Sequence, residues 1–157
     1  MADLLAIDAG FQHFGWSVFS QGSLVEADLG TNETLEFSLG VQPPNFEKVL
    51  SEIILSNQWS SPLAVIEYPK NRISTPNVDS LLKLAASCGA YTALLQAAGF
   101  SVEWVLPHEW KGHVPKQVMC KRILDKLETH EYSKVRRLKN HNVLDAVGVG
   151  LWKLKRL

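Results

Sequence analysis

The chain has 157 residues, of which 46% are hydrophobic and 20% charged, with 16 Lys and Arg balancing 16 Asp and Glu. These totals are ordinary for one globular domain over 1–157 with a buried core. No apolar run is long enough to span a bilayer, and no signal peptide is visible. Cys88 and Cys120 have no CxxC partner, which indicates buried thiols rather than a disulfide framework. We therefore expect a cytoplasmic protein with no membrane partner.

The zero net charge conceals two segments of opposite charge. Residues 1–110 carry 4 Lys and Arg against 12 Asp and Glu, a net charge of −8, whereas 111–157 carry 12 against 4, a net charge of +8. A basic segment on an otherwise acidic domain indicates a polyanionic partner such as nucleic acid. The alternative is a charge-balanced, solvated surface.

Hydrophobic spacing predicts five strands and four helices in the order βββαβαβαα. The tight turn at Gln21-Gly22 makes the first three strands an antiparallel meander, and helical crossovers add two more strands to the sheet. The expected fold class is therefore α/β, with a mixed five-stranded sheet flanked by helices. The expected strands cover 4–8, 15–20, 23–29, 63–67 and 100–106, the helices 46–54, 77–98, 118–127 and 141–155, and the connections 11–14, 30–44, 56–62, 107–116 and 129–140.

Two of the predicted buried strands end in a carboxylate. Asp8 follows the apolar run 4–7, and Glu67 follows the run 63–66. Because an unpaired buried carboxylate is costly, each acid requires a cation or a strong hydrogen-bond donor. Ligands of such sheets bind beyond the carboxyl ends of the central strands, so both acids are expected at one binding edge. Taken alone, Asp8 could instead cap a turn.

A third acid, Asp145, lies in the first turns of the last predicted helix, and Asn142 shares its face. Three carboxylates from distant parts of the chain, without a cysteine or histidine cluster, suit Mg²⁺ or Mn²⁺. Two such ions about 4 Å apart can activate a water and stabilise the leaving oxygen in phosphodiester hydrolysis. The pattern thus indicates a metal-dependent nuclease whose basic rim binds phosphates.

Taken together, these motifs resemble the RuvC family of Holliday-junction resolvases, within the RNase H-like nucleases. The resemblance is closest to the compact versions encoded by bacteriophages. It is carried by residues 5–10 with Gly15, by 64–67, by Asp145 with the apolar helix after it, and by a basic segment containing Pro107, Trp110, Lys111 and Lys116. It implies an RNase H-like fold and a homodimeric, Mg²⁺-dependent endonuclease that resolves four-way or branched DNA. The long helix 77–98 is then the expected dimer interface.

The resemblance also implies roles for individual residues. It implies that the catalytic, metal-binding residues are Asp8, Glu67, Asn142 and Asp145, which hold two Mg²⁺ or Mn²⁺ ions. His141 is then either a further ligand or a helix cap. Asn142 stands where family members usually carry an acid, which makes it a weaker, neutral ligand. The expected DNA-binding residues are Lys111, Lys116, Tyr68, Lys70, Arg72, His113, Lys134, Arg136, Arg137 and Lys139.

The aromatic residues near the acids have two interpretations each. Tyr68 lies near the place where family members carry an aromatic that can stack on an unpaired base, but it could instead be a core tyrosine. Phe11, His13 and Phe14, on the expected loop beside Asp8, are expected to pack at the sheet edge, with DNA contact as the alternative.

Three other functions remain open on sequence alone. Asn142 permits a protein that binds branched DNA but has little or no catalytic activity. An RNA-processing nuclease of the same fold is a second possibility, although Glu67 favours the resolvase branch. A phosphotransferase of the actin-like ATPase kind opens with a similar strand, but this chain is short for two lobes and lacks a second Gly-rich phosphate loop.

Overall fold

A computed structural model describes residues 1–31, 47–69, 78–136 and 140–157. The expected DNA-binding residues Lys70, Arg72, Arg137 and Lys139 lie outside these ranges. Within them, no helix is long and apolar enough to cross a bilayer. The strands are β1 (Ala2–Asp8), β2 (His13–Ser20), β3 (Ser23–Thr31), β4 (Trp59–Glu67) and β5 (Ser101–Val105), and the helices are α1 (Glu47–Ser56), α2 (Val78–Ala97), α3 (Pro107–Trp110), α4 (Lys116–Lys126), α5 (Thr129–Val135) and α6 (His141–Lys153).

The five strands form one mixed sheet in the order β3-β2-β1-β4-β5. β1 pairs with β2, and β2 with β3, in antiparallel fashion, whereas β4 pairs in parallel with β1 and with β5. The predicted α/β class, with its first three strands antiparallel, is therefore confirmed. The order places β1 at the centre, between the meander and the crossover strands, which is why its apolar run is buried on both faces.

The core has two layers, one on each face of the sheet. Alternate β1 side chains enter opposite layers, so Leu5 and Ile7 pack with α1 and α2, while Leu4 and Ala6 pack with α4 and α6. Tyr91 of α2 is fully buried in the first layer. The alternation is the ordinary consequence of the strand period of two.

Helix α6 packs very close to the sheet. Glycines allow this close packing, both in the strand that faces the helix and in the helix itself. A Cβ atom on Gly15 of β2 would lie 1.9 Å from the carbonyl oxygen of Asn142, and one on Gly150 would lie 2.1 Å from the Phe19 ring. No larger residue fits at these positions without moving the helix. Gly15 thus sets the position of the first turn of α6.

Two expected connections contain helices instead. Residues 107–116 begin with α3, because Pro107 suits the first helical position and the Glu109 carboxylate accepts a 2.6 Å hydrogen bond from the Leu106 N–H. Residues 129–140 begin with α5, where Glu131 likewise accepts a 2.9 Å hydrogen bond from the Glu128 N–H. Both helices are short, so neither produces a clear helical period in the sequence.

Two strand boundaries also differ from expectation. β4 begins at Trp59 rather than at residue 63, and Ser61 within it adopts φ of 50°. β2 begins at His13, so His13 and Phe14 belong to a strand rather than to a loop beside Asp8. Phe14 is fully buried and its ring lies 5.1 Å from that of Tyr91, so it packs in the core. His13 is exposed.

Candidate functional site

The three acids expected at the site converge on one edge of the sheet. Asp8 and Glu67 end adjacent parallel strands and are direct partners in the β1–β4 ladder. Asp145 belongs to the second turn of α6 and is 8% exposed. Its charge acts on both other carboxyl groups. Three residues separated by up to 137 positions in sequence are therefore brought together by the sheet order and by α6.

The electrostatics of Asp8 indicate a surplus of negative charge. Burial raises the pKa of Asp8 well above its usual value, and the nearby charges of Glu67 and Asp145 raise it further. The charges of Lys111 and Lys116 oppose this effect without cancelling it. A divalent cation would relieve both the burial and the repulsion.

Glu67 is held by two donors from the segment after β5. The Trp110 indole Nε1–H donates to Glu67 Oε2 at 2.5 Å, and the Lys111 ammonium donates to both carboxylate oxygens at 3.2 and 3.3 Å. Lys111 Nζ also lies 3.6 Å from Asp145 Oδ2. Burial raises the pKa of Glu67, while Lys111 and Trp110 act in the opposite direction.

Helix α3 explains why both donors reach Glu67. Trp110 is its last residue and is buried, with its ring against Gly148 of α6. Lys111 caps the helix, and its N–H bonds to the Pro107 carbonyl at 3.0 Å. The Lys111 ammonium lies 4.7 Å from the centre of the Trp110 ring. The sequence placed Trp110 in a basic loop, so its role as a Glu67 donor was missed.

Two residues of α2, on the face of the sheet that also packs against α1, contact the backbone beside the site. The Tyr91 hydroxyl donates to the Gly10 carbonyl at 3.1 Å, and the Cys88 thiol contacts the Glu67 carbonyl at 3.7 Å. These contacts tie the helix to the ends of β1 and β4. Burial raises the pKa of Cys88 to about 12, so this thiol stays protonated. The hydrophobic spacing of the predicted helix identifies Tyr91 and Cys88 as core residues. It does not predict their contacts with the Gly10 and Glu67 carbonyls.

The start of α6 positions the fourth expected ligand. Asn140 is the N-cap, and its side chain accepts a 2.9 Å hydrogen bond from the Asn142 N–H. His141 is the first helical residue and is exposed, so the interpretation of His141 as the cap is wrong. Asn142 is half-buried, and its backbone rests on Gly15.

The donor chemistry fits a hard divalent cation, although the ligands are not preassembled. Carboxylate oxygens, with an amide oxygen beside them, are the groups that Mg²⁺ and Mn²⁺ prefer. Within 1–31, 47–69, 78–136 and 140–157, however, no three His, Cys, Asp or Glu side chains stand close enough to form a metal cluster. Lys111 lies between two of the acids instead.

The expected DNA-binding residues that the structure describes do not all lie at this edge. Lys111 is half-buried among the acids, and the charge of Lys116, at the start of α4, also acts on Asp8, whereas the first turn of α5, the helix that carries Lys134, contacts the start of β3 at the other end of the sheet. Tyr68 is half-buried, and its ring stacks on Trp104 of β5 with 4.5 Å between centroids and 18° between planes. Trp104 is 53% exposed and shares that stack, which sequence reasoning missed. Lys116, His113, Lys134 and Arg136 are all exposed.

Comparison with known proteins gives structural matches but none in sequence. No family model and no curated protein matches the chain. The structure of RuvC from Thermus thermophilus is similar with a TM-score of 0.60 and 16% identity, covering 96% of this chain and 92% of that chain. T. thermophilus RuvC in complex with a Holliday junction substrate is similar with a TM-score of 0.63 and 16% identity, covering 94% and 89%.

The fold is RuvC-like. The similarity extends over nearly the whole of both chains, so the order of strands and helices corresponds as a whole rather than in one motif. At this identity the likeness establishes architecture, and the chemistry has to be argued from the side chains.

Proposed function

We propose that this chain is a divalent-metal-dependent endonuclease that resolves four-way or branched DNA by paired phosphodiester hydrolysis. The observation that carries the proposal is the convergence of Asp8, Glu67 and Asp145 at the carboxyl edge of a RuvC-like sheet. A similar structure holds a Holliday junction substrate, which supports a four-way junction as the DNA. We propose further that residues 1–157 form one nuclease domain of the compact, phage type, which acts in the cytoplasm.

The metal-binding part of the proposal uses the acidic edge. Asp8, Glu67 and Asp145 would hold two Mg²⁺ or Mn²⁺ ions, with the Asn142 amide oxygen as a fourth donor and His141 at the margin. When bound, such ions would activate the attacking water and stabilise the leaving oxygen. The Trp110 indole keeps one Glu67 oxygen in a fixed direction. Asn142 removes one negative charge from the usual donor set, so we expect weaker metal binding than four acids would give.

The DNA-binding part uses the basic C-terminal segment. Exposed cations of the segment 111–157 would bind backbone phosphates, and the net charge of +8 over this segment offsets the repulsion between DNA and the acidic part of the chain. Tyr68 and its stacked partner Trp104 would provide an aromatic surface on which an unpaired base could stack. The proposed phosphate contacts are Lys111, Lys116, His113, Lys134 and Arg136, together with Lys70, Arg72, Arg137 and Lys139.

Paired cleavage requires two sites, so we propose a homodimer. The outer face of α2 carries Val78 and Leu82, each 62% exposed, and this apolar surface supports α2 as the interface. Sedimentation at micromolar protein concentration measures the oligomeric state. A protein that remains a monomer there, and also on a junction, would contradict paired cleavage by one dimer.

The test is cleavage of an immobile four-way junction, with linear duplex as the control, in Mg²⁺, in Mn²⁺ and in EDTA. We expect symmetric paired nicks on the junction that require a divalent ion. Asp8→Asn should abolish cleavage and retain junction binding, because it removes a metal ligand without removing a phosphate contact. Asp3→Asn, at the opposite end of β1, is the matched control and should cleave normally. Full activity of Asp8→Asn would refute the metal assignment.

The same assay separates the proposal from its alternatives. Asn142 favours one of them, a branched-DNA-binding protein with weak or no catalysis, which would bind the junction without cleaving it in either metal. In that case Asn142→Asp should restore some cleavage, because it returns the missing negative charge. Preference for an RNA strand in a matched hybrid would instead indicate an RNA-processing nuclease. Equal cleavage of flaps and duplex would keep the active site and reject junction selectivity.

A further inference from the structure

Lys111 is the residue whose position the proposed function leaves unexplained. Its side chain is 26% exposed, and its ammonium contacts both Glu67 oxygens and reaches Asp145. A lysine that only bound DNA would extend toward solvent, as the exposed Lys116 does. Lys111 instead points inward, where two carboxylates would otherwise repel each other.

We propose that the Lys111 ammonium occupies the cation position between Glu67 and Asp145, so that a divalent metal must displace it before both carboxylates can act as ligands. This inference rests on the proposed function and adds a control on metal loading. The ammonium engages Glu67 at 3.2 and 3.3 Å and Asp145 at 3.6 Å. A Mg²⁺ ion binds oxygens at about 2.0–2.1 Å, and the same oxygens cannot serve two adjacent cations at full strength.

The surroundings of Lys111 allow it to leave without disordering Glu67. The Trp110 indole holds Oε2 independently of the lysine, and Trp110 is itself buried. Lysine carries a compact charge on a flexible stem, which can move to another anion nearby. A backbone phosphate entering the site would supply that anion. DNA binding and metal binding would then favour each other, as linkage requires.

The first test measures Mn²⁺ binding to the protein without DNA, by titration calorimetry. Lys111→Met should bind Mn²⁺ about tenfold more tightly or better, within the range common for coupled sites. Lys111→Arg keeps the charge and should bind as the wild type does. Lys121→Met changes the net charge equally, but Lys121 is exposed on α4 and is not among the charges that act on Asp8 or Glu67, so its affinity should stay near that of the wild type.

A second test uses the wild-type protein and so does not depend on the folding of Lys111→Met. Lysine labelled with ¹³C at Cε is titrated with Mg²⁺, and the Lys111 resonance is identified by its loss in Lys111→Arg. We expect this resonance to shift in step with metal binding, while the resonance of the exposed Lys121 changes much less. A Lys111 resonance that stays fixed while Mg²⁺ binds would overturn the inference.

The outcomes separate this inference from the proposed function. Equal or weaker Mn²⁺ binding by Lys111→Met, with metal-dependent cleavage by the wild type, would overturn the inference and leave the nuclease intact. No Mn²⁺ binding by any variant and no metal-dependent cleavage would overturn both. Tighter binding by Lys111→Met alone, with both controls unchanged, is the result that the inference requires.

Discussion

Two regions of this chain bury acidic side chains, and they compensate the charge in opposite ways. Glu131 of α5 is fully buried and accepts hydrogen bonds from the Leu24 N–H at 2.7 Å, from the Glu128 N–H at 2.9 Å and from both Arg156 guanidinium nitrogens at 2.8 and 2.7 Å. Burial alone would raise its pKa, but these donors lower it to about 2. This carboxylate is therefore satisfied by the chain itself.

At the sheet edge, by contrast, the donors and cations of the chain do not fully compensate the buried acidic charge. Asp8 and Glu67 both have a raised pKa, with burial as the largest cause, and Lys111 compensates only part of the charge. The difference distinguishes a structural acid from the acids for which we propose a function. The structural acid has its donors within the fold, whereas the edge acids carry charge that an external cation can use.

The largest effect on stability is expected at Glu131. Glu131→Ala leaves the Leu24 N–H without its acceptor and the Arg156 guanidinium without its charge partner, with only the Gly22 and Lys126 carbonyls still accepting from Arg156. Breaking a buried pair in this way costs about 3 kcal/mol. Urea unfolding should report that decrease in the free energy of unfolding, without a large change in slope. A loss below about 1 kcal/mol would mean that water or another acceptor replaces the carboxylate.

Acid should weaken the same interaction. The Glu131 carboxyl has a pKa of about 2 in the folded chain and about 4.3 when unfolded, so the unfolded state binds the proton first. The stabilisation is fully present above about pH 4.3 and is lost as pH falls toward 2. Unfolding free energies measured from pH 5 to pH 2 should therefore fall more steeply for the wild type than for Glu131→Gln. Parallel curves would refute the assigned pair.

At the sheet edge, removing an acid should have the opposite sign. Asp8→Asn removes a buried charge and its repulsion with Glu67 and Asp145, so without divalent metal at neutral pH it should raise the free energy of unfolding. Asp3→Asn, whose carboxylate accepts from the Gln21 N–H at 3.0 Å, is expected to be destabilising instead. Adding Mn²⁺ should stabilise the wild type more than Asp8→Asn. A destabilised Asp8→Asn protein would mean that the carboxylate is already satisfied.

The sequence was sufficient for the sheet and for the acids because both depend on local pattern. The apolar runs 4–7 and 63–66 are long enough to identify two central strands. The carboxylate that follows each run can be read directly from the sequence. Asp145 was identified through its helix. The convergence of these acids then follows from strand order, which few topologies satisfy.

The remaining features depend on contacts between distant segments. The Glu131–Arg156 pair joins residues 25 apart, and Trp110 reaches Glu67 across 43 positions. Helix α3 has only four residues, too few for a period to emerge, so its donors were assigned to a basic loop. Lys111 could be recognised as basic from sequence, but only the fold reveals that it points into the acids.

The smallest effect is expected at the exposed pair of Glu103 and Lys153, which provides the reference for the buried one. Glu103 is 52% exposed at its side chain and Lys153 29%, so both charges remain largely hydrated. Glu103→Ala should lower the free energy of unfolding by less than about 1 kcal/mol, and salt should reduce even that. If Glu103→Ala instead cost as much as Glu131→Ala, burial would not be what separates these acids. The contrast between Glu131 and the carboxylates of the sheet edge would then rest on the number of hydrogen bonds alone.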